Sequence, residues 1–120
     1  MPYISENPEG YDGKQVGNGQ CVVFVEVAAK APHTFCWKKG IDVKGAANIK
    51  KGTAIATFTN GKYTNYATGN HAAIYISQDK NGIWVYDQWT SQGMVKKRLI
   101  RFRNGTGSPS NDGSAFSVIE

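Results

Sequence analysis

Two apolar runs, "HAAIYIS" at 71–77 and "IWVYDQW" at 83–89, stand on either side of "QDKNG" at 78–82. Runs this short, rich in β-branched and aromatic residues and joined through Asn81-Gly82, specify an antiparallel β-hairpin. The hairpin commits the middle of the chain to a sheet and sets the start of its first strand beside the end of its second. Around it, "TAIATF" (53–58) reads as a further strand. "VKKRLIRFR" (95–103) reads as a half-exposed strand with alternating apolar and basic residues, and "AFSVIE" as a short last one. Fourteen glycines in 120 residues, with abundant Asn, Thr and Tyr, agree with a fold rich in turns and strands.

One segment breaks this pattern. From Gln20 to Ala31 the chain is almost uninterruptedly apolar, and Pro32 then marks a stop. Its four valines suit a strand equally well on propensity. Its twelve-residue length, terminal alanines and proline stop favour a helix with Cys21, Val25, Ala28 and Ala29 on one side. Residues 1–19 read as an extended, turn-rich lead-in. The basic stretch "CWKKGIDVKGAANIKKG" has room for a short helical turn, and residues 59–70 read as a polar, tyrosine-bearing loop or β-excursion. The expected fold class is therefore α+β, an N-terminal helix carrying Cys21 packed on an antiparallel sheet, in one domain spanning 1–120.

The glycines of "VGNGQC" lead the chain to a cysteine at the expected helix start, where amide dipoles favour a thiolate and can hold an oxyanion. His71 opens the hairpin's first strand, and Asp87 and Gln88 lie near the end of the second. Successive strand residues face opposite ways, so only one of the two can orient His71. Asp87 is the better choice, because a carboxylate both sets the tautomer and stabilises an imidazolium. Gln88 is the alternative. The site then comprises Cys21 as nucleophile, His71 as base and Asp87 as orienting residue. Amides near Gln20–Val22 would face the oxyanion, and Trp89 would wall a substrate groove. The glutamine side chains of Gln15 and Gln20 are open as further oxyanion donors.

Each residue also has a plainer reading. A cysteine among valines is more often core, a histidine at a strand start more often an edge residue, and an aspartate near a strand end more often a cap. It is the order of the three around one hairpin that favours chemistry. His33 and Cys36 make half a metal site with no partner pair, so no metal or other cofactor is expected. A Cys21–Cys36 disulfide would consume the nucleophile. A formal charge of +5 (pI about 9.3) draws the chain toward anionic partners without choosing among them. The basic run 96–103 reads as a solvated strand face rather than a phosphate grip. No apolar stretch is long enough for a membrane span, and the start "MPYISENPEG" lacks signal-peptide regions, so synthesis in the cytoplasm without membrane insertion is expected.

The segments "GQCVVFV", "IKKGTAIATF", "GNHAAIYIS" and "GIWVYDQW" follow, in that order, the layout of the NlpC-like and CHAP-like cysteine peptidases. Over residues 15–103 the pattern most resembles the small amidase effectors of bacterial type VI secretion, specifically their third family. That resemblance implies a peptidoglycan amidase acting on peptide stems, with the D-alanine–diaminopimelate cross-link as its bond and Cys21, His71 and Asp87 as its catalytic set. It further implies delivery into the periplasm of a rival Gram-negative cell, and a cognate immunity protein that protects the producer. A phage-type or housekeeping wall hydrolase of the same superfamily is the second reading. A non-catalytic, basic β-rich module binding glycan or nucleic acid is the third.

Overall fold

The computed structural model describes residues 1–120 as one six-stranded antiparallel sheet with a single α-helix against one face. Helix α1 spans Cys21–Ala29. The strands are β1 (Lys39–Asp42), β2 (Ala54–Thr57), β3 (Ala72–Gln78), β4 (Gly82–Asp87), β5 (Lys96–Arg101) and β6 (Phe116–Ile119). Their order across the sheet is β1-β6-β2-β3-β4-β5, so the last strand of the chain enters between the first two. No helix is long and apolar enough to cross a membrane.

Burial explains why four valines form a helix. Phe24 and Val25 are fully buried, with Val22, Ala28 and Ala29 nearly so. The value of that burial exceeds the few tenths of a kcal/mol per residue by which valine disfavours helix. Ala54, Ala56 and Ala72 share a hydrophobic cluster with α1, and such small side chains let the helix approach the sheet closely. At the C-terminus Lys30 takes a left-handed conformation (φ 54°), with its N–H donating to the Glu26 carbonyl, and Pro32 lies just beyond. The opposite face of the sheet has its own cluster, in which Ile55, Ala73, Val85, Ile100 and Phe116 are fully buried.

Three expectations are corrected. The basic stretch after Cys36 contains an edge strand, β1, which pairs with β6; its largely exposed residues carry no period-two signal. The lead-in is not simply extended: it forms a 3-10 turn at Pro8–Tyr11 and a bridge between Ile4 and Thr53. The hairpin is present, yet Asn81-Gly82 does not supply it with positive φ angles. The turn closes through the Asp79 N–H to the Gly82 carbonyl, with the Asp79 carboxylate accepting the Asn81 N–H. Gly82 is required for another reason: a Cβ there would sit 2.3 Å from the carbonyl oxygen of Ile100 on β5.

Candidate active site

Gly17 and Gly19 both adopt positive φ (56° and 87°), turning the chain into α1 so that Cys21 is its first residue. No side chain caps this helix start. The Gln20 amide is taken by the Asn18 side chain, whereas the Cys21 and Val22 amides have no partner in the protein. Within the expected oxyanion stretch the Gln20 amide is therefore spoken for, and the Cys21 and Val22 amides are free. Gln15 turns its side chain onto the Gly17 carbonyl, away from that role.

His71 is held just ahead of β3 by two backbone contacts to Thr57, its N–H to Thr57 Oγ1 and its carbonyl from the Thr57 N–H. It is 6% exposed, and its Nε2 lies 2.7 Å from Asp87 Oδ2. The choice between Asp87 and Gln88 turns on a β-bulge. Next to the turn the register is Gln78↔Ile83 and Ser77↔Trp84, which if continued would set Gln88 opposite Ala73. A bulge between Tyr75 and Ser77 shifts it to Ile74↔Tyr86, so Asp87 falls on the face shared by Ala73 and His71. Gln88 is thereby turned to the helix side. There it accepts from the Val16 N–H and donates to the carbonyls of Val16 and Gln20. Gln88 thus has no hydrogen bond to His71 and instead fastens the loop that carries Cys21.

The electrostatics follow from this packing. Burial works against a charged Cys21, but hydrogen bonding and charge attraction from His71, with help from Ala72 and Tyr63, leave the thiol below its ordinary range. Burial also disfavours an imidazolium, yet Asp87 and Cys21 outweigh it and raise His71 to about 9. The site thus favours a thiolate–imidazolium pair backed by a carboxylate. Cys21 and Cys36 are both free thiols, and Cys36 is exposed.

Two lobes of one groove meet at His71, Asn70 and Trp89. The lobe of about 410 Å³ is lined by Gln20, Cys21, Val22, Tyr63 and Tyr66; the other, of about 490 Å³, by Arg98, Ser108 and Asn111. Trp89 lines both lobes, its ring 6.1 Å from that of His71.

Sequence reasoning missed two residues here. Arg98 donates from Nε to Asp87 Oδ2 at 2.7 Å and lays its guanidinium 4.8 Å over the Trp89 ring. Its signal was partial: Arg98 shares strand parity with fully buried Ile100, but so does exposed Lys96, so alternation alone does not single it out. The second is Tyr63, whose hydroxyl lies 3.9 Å from Cys21 Sγ. Nothing in the polar loop 59–70 singles it out.

A family model described as domesticated amidase effector 2 matches residues 2–119. The chain belongs to this amidase effector 2 family. A type VI secretion amidase effector 2 protein of Salmonella typhi is 42% identical over 133 aligned positions, covering all of both chains. A domesticated amidase effector 2 of Ixodes scapularis is 47% identical over 85 positions, 70% of this chain and 56% of its own. A solved structure of type 6 secretion amidase effector 2 superposes with a TM-score of 0.87 at 38% identity, covering this chain fully and 95% of its own. The resemblance to type VI amidase effectors holds, with a correction: these relatives belong to the second group, not the third. The α+β expectation holds as well, in a papain-like arrangement of one helix on an antiparallel sheet.

Proposed function

We propose that this chain is a cysteine-dependent peptidoglycan amidase that opens peptide cross-links in the wall of a rival bacterium. The single observation that carries the proposal is one groove lobe lined both by Cys21, at an uncapped helix start, and by His71, whose Nε2 rests on Asp87. The thiolate of Cys21 attacks the carbonyl carbon of the scissile amide, and the resulting oxyanion meets the Cys21 and Val22 amides. His71 gives its Nδ1 proton to the leaving amine as the C–N bond breaks, leaving a thioester on Cys21. Neutral His71 then takes a proton from water, hydroxide adds to the thioester, and the acid product leaves as Cys21 returns to thiolate. Asp87 holds Nε2 throughout and stabilises the imidazolium.

The bond we assign is the D-alanyl–diaminopimelate cross-link, with the γ-D-glutamyl–diaminopimelate bond as the alternative that fragment analysis would reveal. Kinship with type VI effectors supports action in the periplasm of a recipient cell and a cognate immunity protein in the producer. A net charge of +5 suits an anionic wall. The test is digestion of diaminopimelate-type sacculi followed by separation of the muropeptides. Loss of cross-linked dimers with wild type and their persistence with Cys21→Ala is expected. Equal cleavage by both proteins would remove the thiol mechanism, and intact dimers with both would remove the activity.

A further inference from the structure

Tyr63 sits beside the nucleophile and has no task in the scheme above. Its ring is buried and packs on Trp37 with centroids 5.0 Å apart, which fixes where the hydroxyl points. Asn70, the residue before His71, donates from Nδ2 to the Tyr63 oxygen at 3.3 Å. A phenol oxygen that accepts from Asn70 keeps its own hydrogen free for a second partner, and Cys21 Sγ lies 3.9 Å away. Tyr63, Asn70, Cys21 and His71 all line the same lobe, so this O–H faces substrate as well as sulfur.

We infer that Tyr63 is a further catalytic residue, whose O–H donates to Cys21 Sγ at rest and to the substrate carbonyl oxygen once sulfur has attacked. The inference rests on the thiol-amidase reading. As the C–S bond forms, negative charge leaves sulfur and collects on the former carbonyl oxygen. A donor anchored beside sulfur follows that charge and supplements the helix-start amides. Tyr63 keeps its hydrogen at every stage; the proton for the leaving amine comes from His71. Burial, with the adjacent thiolate, pushes the phenol well above the usual tyrosine range, so Tyr63 remains a neutral donor wherever the enzyme works.

Tyr63→Phe keeps the packed ring and removes only the hydroxyl. In a Cys36→Ser background, where Cys21 is the sole thiol, the pH dependence of iodoacetamide alkylation gives the thiolate midpoint. Tyr63→Phe is expected to raise that midpoint by about half to one pH unit, the scale of one lost hydrogen bond of ordinary strength. It should also lower kcat on a cross-linked stem peptide roughly tenfold, with KM within about twofold. Asn70→Ala, which leaves the phenol but not its anchor, should move both quantities the same way by less. A Tyr63→Phe protein that melts like its parent and shows an unmoved midpoint or an unmoved kcat overturns the inference. If instead the parent alkylates as an ordinary thiol and Cys21→Ala still cleaves, the thiol-amidase reading itself has failed, and the two failures are told apart.

Discussion

Replacing Gln88 by leucine keeps the volume of a fully buried side chain and removes three hydrogen bonds at once. The Val16 N–H, in a buried residue, loses its partner outright, whereas the Val16 carbonyl keeps the Gly19 N–H and the Gln20 carbonyl keeps the Phe24 N–H. A buried polar group left unpaired costs about 1–3 kcal/mol, so the orphaned Val16 N–H puts the loss at about 1–3 kcal/mol. Against a total stability of roughly 5–15 kcal/mol that is a large fraction. For a chain of this size it lowers Tm by on the order of 10 °C. Urea unfolding followed by circular dichroism measures the loss directly, with an unchanged slope showing that the denatured state is not altered. Activity should fall as well, because the 16–20 loop presents Cys21, but the pH limbs of kcat/KM should stay in place. Gln88→Leu within about 0.5 kcal/mol of wild type would refute the structural role given to this residue. A shifted pH limb would point instead to a contact with His71.

Asp87→Asn removes the carboxylate behind His71, so the alkaline limb of kcat/KM should move to lower pH and kcat should fall at least tenfold, on the scale of general-base loss. Arg98→Met keeps a stem over Trp89 but leaves fully buried Asp87 without its guanidinium partner. A destabilisation of about 2–3 kcal/mol is expected in urea, below the full cost of breaking a buried pair because Arg98 is 25% exposed. The His71 shift has a stability signature. Its folded value of about 9 exceeds the ordinary 6.5, so its contribution is complete below about pH 6.5 and lost as pH rises through 9. The stability gap between wild type and His71→Ala should therefore narrow over that window; a constant gap would deny the shift. Gly82→Ala forces a Cβ against the Ile100 carbonyl and should cost about 2–4 kcal/mol by thermal melt; a neutral effect would show that β4 and β5 are less closely packed at this point.

Parts of the site were legible because they depend on neighbours in sequence. Cys21 follows two glycines that must turn, Pro32 ends the apolar run, and His71 and Asp87 flank a hairpin whose short connection forces them together. Other parts left no trace of that kind. β1 is an edge strand with mostly exposed residues, so alternation could not mark it. Gly82 looked like a turn glycine and proved to be a packing glycine, because the approach of β5 is not encoded in the turn.

The amino-acid sequence by itself determined the helix, the hairpin and the order in which Cys21, His71 and the Asp87-Gln88 pair appear. These follow from apolar period, turn residues and a proline stop, all properties of short segments. Only the tertiary structure decided which member of the pair faces His71. Uninterrupted, the register next to the turn would have turned Gln88 to that face; one extra residue at the β3 bulge exchanged the two. The same holds for Arg98 on Asp87 and for Tyr63 beside Cys21, which meet across 11 and 42 residues of chain. Register and burial are set by how distant segments pack, and a period-two pattern can say that neighbours face opposite ways without saying which way each one faces.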